Sequence, residues 1–238
     1  IVHYHNKGVS NYQQKSLFDF CYKRFFRNIK VILLSNALYQ DFSKYVKKEN
    51  LEICPNGIPE LFTEEPCFNR NNRPVKVLYL SNLIISKGVY VLLDALQILK
   101  SRGYVIKCTF VGGETKEISA EIFNQAVKER QLNDIVIYAG SKYGQEKQSY
   151  WAQSDIFVFP TFYHNESFPI VNLEAMQYKL PVVSTDEGGI KDIVEDGITG
   201  YIVPKQNACA LAEKIAVLID DEDLRRNMGN AGYMRYKK

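Results

Sequence analysis

The sequence has no CxxC pair and no apolar run near the roughly 20 residues that a membrane-crossing helix needs. Its five cysteines, Cys21, Cys54, Cys67, Cys108 and Cys209, are odd in number and dispersed. That pattern argues against a disulfide framework or a zinc site and for reduced thiols in a cytoplasmic protein. The opening IVHYHNKG lacks the basic start and apolar stretch of a secretory leader, and it lacks an initiator Met. It reads as a strand already in progress, so the expectation is a chain that starts inside a domain. Without a leader, the sequon at Asn165 is expected to be a chance match. The dinucleotide fingerprint GxGxxG is absent, and so is GxxxxGK[ST], which excludes a P-loop nucleoside triphosphatase.

What is present is ordinary in amount and uneven in placement. Residues 1–50 hold nine Lys and Arg against Asp19, Asp41 and Glu49, a surplus of +6 in a chain of net charge +3. The densest part is YKRFFRNIK. Two readings fit it: a basic, aromatic patch for a membrane surface or nucleic acid, or a solvated helix with a Phe/Tyr core face.

Turn chemistry divides the chain. VILLS (31–35) reads as a buried strand, NALYQDFSKYVKKEN as a helix and LEICPNGIPE as a short strand and a Pro/Gly turn. Residues 59–74 read as a linker. Beyond it strands and helices alternate: VKVLYLS, then a helix over 87–103, VIKCTFVGG, a helix in EISAEIFNQAVKERQ, and DIVIYAG. QEKQSYWAQS, DIFVFPT, PIVNLEAMQYK, LPVVST, TGYIV and ACALAEKIAVLID continue the alternation. Continuous Val/Ile/Leu runs between helices predict a parallel sheet covered on both faces. Residues 66–238 therefore read as a Rossmann-like α/β domain, and residues 1–65 as the incomplete end of another.

In an open α/β sheet, ligands bind beyond the carboxyl ends of the strands. Lys87, in SKGVYVLL, is expected in the first turn of a helix, where the macrodipole disfavours a cation unless an anion sits in front. It is either half of an anion site or a solvated loop lysine. In NESFPIVNLEAM, Glu166 and Glu174 stand eight positions apart. Pro169 suits a helix start and Ser167 could cap it. At about 100° per residue, Ile170, Val171, Leu173, Ala175 and Met176 surround the axis, so the helix reads as buried. Glu174 has no Lys or Arg three or four residues away. It needs either a ligand, such as a pair of hydroxyls, or a partner elsewhere in the core.

Those residues carry a resemblance. Glu166–x7–Glu174, followed by AM and LPVVSTDEGGIKDIVEDGITGYIV, resembles the retaining glycosyltransferases of family 4, with the GT-B fold of two facing Rossmann-like domains. SNLIISKGVYVLLDAL resembles their nucleotide-sugar phosphate-binding segment, ICPNGIP their interdomain linker, and VILLSNALYQDF the strand and helix before it. The likeness covers nearly the whole chain. It implies that Glu174 binds the ribose hydroxyls of a nucleotide-diphosphate sugar and that Glu166, as a catalytic residue, sits at the transferred sugar or the reacting centre. Backbone amides of Phe168 and Ile170, beside Ser167, would meet the diphosphate, and Lys87 would neutralise it in place of a metal. Gly112 and Gly113 would let the nucleotide approach, and the segment from Tyr138 to Ser141 would hold the base. His5 would end a strand at the acceptor side, either as a group that positions or deprotonates the acceptor or as a core or surface histidine.

The chain departs from the pattern in three ways. Asn82 stands where many members carry an arginine, so the donor clamp has one cation fewer. The first domain lacks its early strands, and the crossover helix at the end is largely absent. The resemblance thus implies a fragment that binds donor and turns over poorly. For the complete enzyme it implies hexosyl transfer from a UDP- or GDP-type sugar to a glycan or lipid-linked acceptor in surface polysaccharide synthesis. It implies no cofactor beyond that donor substrate and no nucleic-acid partner, in a cytoplasmic protein that contacts the membrane peripherally through its basic N-terminal part. The alternatives are a sugar phosphorylase, a nucleotide-sugar epimerase, or a non-catalytic scaffold with a relict donor pocket.

Overall fold

A computed structural model describes residues 1–4, 16–62 and 74–238. The chain begins with strand β1 (Val2–Tyr4), helix α1 (Ser16–Phe26), strand β2 (Val31–Leu33), the single-turn helix α2 (Tyr39–Phe42) and strand β3 (Leu51–Ile53). The three strands pair in parallel in the order β1-β2-β3. The expected helix over NALYQDFSKYVKKEN is mostly absent. A 3-10 turn leads into α2, which stops at Phe42 because the amides of Tyr45 and Val46 both bond to the Phe42 carbonyl. That tight turn sends Phe42, Tyr45 and Val46 into one core.

The second unit is larger. Its strands are β4 (Val75–Leu80), β5 (Ile106–Val111), β6 (Val136–Gly140), β7 (Ile156–Phe159), β8 (Val182–Thr185) and β9 (Gly200–Val203). They form one parallel sheet in the order β6-β5-β4-β7-β8-β9. Every residue of β7 and β8 is buried, as continuous apolar runs require of strands covered on both faces. The helices are α3 (Val89–Ser101), α4 (Ala120–Glu129), α5 (Gly144–Gln153), α6 (Ile170–Gln177), α7 (Ile190–Ile193), α8 (Ala208–Asp220) and α9 (Glu222–Tyr236). Trp151 of α5 is fully buried, edge-on to Phe157 of β7 at 4.9 Å and stacked with Tyr178 at 6.3 Å.

Two boundaries differ from the sequence reading and matter for the site. Helix α3 begins at Val89, not Lys87, because Gly88 takes a left-handed conformation, φ 84°, between a 3-10 turn and the helix. A Cβ there would lie 2.2 Å from the Pro160 carbonyl oxygen, so the loop after β4 rests directly on the loop after β7. Helix α6 begins at Ile170 with Pro169 in the cap position, and no side chain caps it. Ser167 is not the cap. Its carbonyl instead accepts from the Gly189 amide at 2.8 Å and from the Ser35 hydroxyl at 3.2 Å.

The strand order places the site. From β4 the chain builds β5 and β6 on one side, then returns to add β7, β8 and β9 on the other. The switch point falls between β4 and β7, the place where ligands bind in open α/β sheets, and the loops after these two strands carry Lys87 and Glu166. Just beyond the end of β2, the small unit meets this edge. The Asn36 backbone amide and side-chain nitrogen bond the two Asp192 oxygens at 2.7 and 3.1 Å.

Candidate active site

The loops at the switch point bring Lys87 and Glu166 together. Lys87 Nζ lies 2.5 Å from Glu166 Oε2, with both side chains nearly buried. The ammonium also sits over the Tyr163 ring at 4.5 Å and the Phe159 ring at 5.4 Å, so the remaining shell of this cation is aromatic. Beneath it Tyr79 is fully buried. Burial, with a smaller contribution from the Glu166 charge, pushes its hydroxyl well above the usual range. Lys87 is thus neither in the helix nor a solvated loop lysine. It is half of a desolvated ion pair whose acid stands four residues before the start of α6.

The surroundings of Glu174 overturn one part of its sequence reading and answer another. The helix is not buried all round: Ile170 is 43% exposed, and Val171, Leu173 and Glu174 are half-buried. Glu174 follows Ile170 by about 40° around the axis and so shares its open side. It also has a cation, from a different helix. Lys147 Nζ of α5 lies 2.6 Å from Glu174 Oε1. The other oxygen, Oε2, is buried and without a hydrogen-bond partner among the described residues. Helical spacing could not reveal Lys147, which is 27 residues away in the chain.

Asn82, Gly112, Gly113 and Ser141 gather into a second cluster beyond β4, β5 and β6. Asn82 Oδ1 accepts from the Gly113 amide at 3.1 Å, and Tyr138 donates its hydroxyl to the Gly112 carbonyl at 3.0 Å. A Cβ on Gly113 would lie 3.0 Å from Ser141 Oγ. Asn82 therefore holds the glycine loop. Phe168 is buried just before α6, while Ile170 starts that helix. His5 lies outside the described residues, as does Cys67.

The sequence reading missed a third ion pair. Glu187, buried in the DEGG loop after β8, meets Lys205 Nζ at 2.9 Å, and this contact raises the Lys205 pKa. Glu166, Glu174 and Glu187 are thus each matched by a lysine from another loop or helix. Among the described residues no group of three His, Cys, Asp or Glu side chains could hold a metal ion. A separate cavity of about 600 Å³, between Pro55–Ile58, Leu173 and Met176, and Arg235–Tyr236, contains none of these acids.

Two facing parallel α/β units with a cation, an acid and a helix N-terminus at the switch point define a GT-B glycosyltransferase architecture. The chain belongs to the family described as "Glycosyl transferases group 1", whose sequence profile matches residues 63–235. It is 34% identical over 157 residues to the capsular polysaccharide biosynthesis glycosyltransferase CapM of Staphylococcus aureus, covering 66% of this chain and 40% of CapM. It is 29% identical over 198 residues to the amylovoran biosynthesis glycosyltransferase AmsK of Erwinia amylovora, covering 80% of this chain and 48% of AmsK. Among solved structures, sucrose-phosphate synthase from Thermosynechococcus elongatus superposes with a TM-score of 0.80 at 25% identity, over 99% of this chain and 62% of that one. The Anabaena protein HepE in complex with UDP superposes with a TM-score of 0.83 at 19% identity, over 99% of this chain and 67% of HepE, a likeness of fold. The chain spans about half the length of the curated relatives it matches.

Proposed function

We propose that this chain carries the donor site of a retaining, metal-independent hexosyltransferase of surface polysaccharide synthesis. It would move a sugar from a UDP- or GDP-type donor to a glycan or lipid-linked acceptor. The observation that carries the reading is the desolvated Lys87–Glu166 pair at the switch point, together with the buried Glu174 oxygen on α6 that has no hydrogen-bond partner among the described residues. A diphosphate entering there would meet the Lys87 ammonium and the first amides of α6. As Lys87 turns to the diphosphate, Glu166 is released to accept a hydroxyl of the transferred sugar. Ribose hydroxyls would meet Glu174. When the bond from the sugar's anomeric carbon to the diphosphate breaks and the bond to the acceptor oxygen forms, negative charge grows on the leaving nucleotide, where Lys87 stands. UDP and glucose in the HepE structure, and the names of CapM and AmsK, support this choice of substrates.

The reading is tested with a panel of UDP-, GDP- and ADP-sugars, following transfer to glycan acceptors and slow release of free sugar. One nucleotide is expected to protect the protein thermally and one of its sugars to be turned over. A protein that binds none of the three nucleotides does not carry this donor site.

Helix α1 supports peripheral contact of a cytoplasmic enzyme with an anionic membrane. Leu17, Phe20 and Phe25 are exposed beside Lys23, Arg24 and Arg27. The acid of this helix, Asp19, is turned to Lys23, Lys44 and Tyr45, and the two lysines hold its carboxyl well below the usual range. Exposed apolar side chains interleaved with Arg24 and Arg27 suit the headgroup boundary. The chain is expected to sediment with vesicles containing phosphatidylglycerol and not with phosphatidylcholine alone. Equal sedimentation with both would remove the electrostatic argument.

A further inference from the structure

The Lys147–Glu174 contact has a geometry that a simple surface ion pair does not need. Lys147 stands in the first turn of α5, and Glu174 stands in α6. Their side chains are 27% and 20% exposed, so the pair is largely removed from water. One carboxylate oxygen, Oε1, is held at 2.6 Å. The other, Oε2, is buried and has no hydrogen-bond partner among the described residues. A buried carboxylate oxygen without a donor is costly. A carboxylate pinned through one oxygen can rotate little, so the direction of the second oxygen is set by the first contact. The same helix carries a second polar group without a partner among the described residues, the Asn172 amide. It lies two residues before Glu174, about 200° around the axis, and so points elsewhere.

We infer that Lys147 is a positioning residue of the donor site, fixing Glu174 so that its free oxygen accepts from the ribose hydroxyls of a nucleoside diphosphate. The inference rests on the reading of Glu174 as the ribose ligand and adds the group that sets its orientation. It also locates the specificity. Lys147 acts on the hydroxyl-bearing half of the ligand, through Glu174, while the diphosphate half is left to Lys87 and α6. A lysine that only stapled α5 to α6 would change stability and leave ribose discrimination untouched. A lysine that touched the phosphates would weaken every diphosphate alike.

The test is calorimetric titration of the full chain with UDP, GDP and ADP and with their 2′,3′-dideoxy forms, in wild type, Lys147→Met, Lys147→Gln and Lys147→Arg. The wild type is expected to bind one nucleotide roughly tenfold more tightly than its dideoxy form, the scale of a charge-assisted hydrogen bond. Lys147→Met is expected to reduce that preference to under about twofold while leaving affinity for the dideoxy form unchanged. Lys147→Arg, which can still donate to Oε1, should restore most of it. Lys147→Gln keeps a neutral donor and falls between, and it carries the test if the Met variant does not fold. A Lys147 variant that retains the wild-type preference overturns the inference, as does equal loss for both ligand forms. A wild type that ignores the ribose hydroxyls, or binds no nucleotide, removes the Glu174 reading itself and this inference with it.

Discussion

Lys87→Ala is expected to lower sugar transfer by about 10²–10³-fold, the cost of losing one preorganised charge contact to a developing anion. The single substitution also leaves Glu166, its 2.5 Å partner, as a nearly buried acid with no cation. Breaking such a pair costs about 3–5 kcal/mol when the remaining charge is fully buried, less here because some solvent reaches it. Stability and chemistry therefore fall together in Lys87→Ala, and activity alone would not separate them. The double variant Lys87→Met/Glu166→Gln removes both charges at once. Its thermal midpoint is expected to recover most of the single variant's loss, with transfer still absent. Recovery of turnover along with stability would show that the pair is only structural. Glu166→Ala alone is expected to lose most activity as well, because the sugar would lose its acceptor for a hydroxyl.

Gly188→Ala is expected to reach the same residue from behind. Gly188 has φ 56°, and a Cβ there would lie 1.9 Å from the Glu166 carbonyl oxygen and 2.7 Å from its carbonyl carbon. Neither atom is the end of a flexible side chain, so the backbone of Glu166 must move. We expect a loss of about 2–4 kcal/mol in urea unfolding, from the left-handed conformation and the displaced loop together. Turnover is expected to fall by tenfold or more, since a shift on the order of 1 Å in a reacting group costs up to about 10²-fold. Gly197→Ala is the matched control: φ is 78°, but nothing lies within 4 Å of the added Cβ. It should cost about 1 kcal/mol, with full turnover. Wild-type turnover in Gly188→Ala would mean that the DEGG loop does not hold Glu166 in place.

Much of the large unit was legible residue by residue. VKVLYLS, CTFV, DIFVFP and LPVVST are apolar runs too short for helices, and each became a buried strand of one sheet. Helix α9 was not legible, because its buried positions include Gly229 and Gly232. Glycines read as breakers, but here they let α9 approach α6 and the turn after it: a Cβ on Gly232 would lie 3.2 Å from Met176 Cγ, and one on Gly229 2.1 Å from the Lys179 carbonyl oxygen. The short α2 was misread for the opposite reason. NALYQDFSKYV has helical spacing, yet three of its apolar side chains bury together through a turn.

For the site, the sequence by itself determined that Glu174 needed a partner, and it left Lys87 as either half of an anion site or a solvated loop lysine. Both arguments are local, since a helix brings only residues three or four apart onto one face. The answers were not local. Lys87 meets Glu166 across 79 positions, Lys147 meets Glu174 across 27, and Asn36 meets Asp192 across 156. Asn82, marked in the sequence as a missing cation, serves in the fold to hold the Gly113 amide. Periodicity determines which side of an element is buried. Only the stacking of β4 beside β7, and the reach of Lys147 from α5 to Glu174 of α6, decide which charge stands opposite another. That stacking is set by the whole sheet order, which no window of the sequence contains.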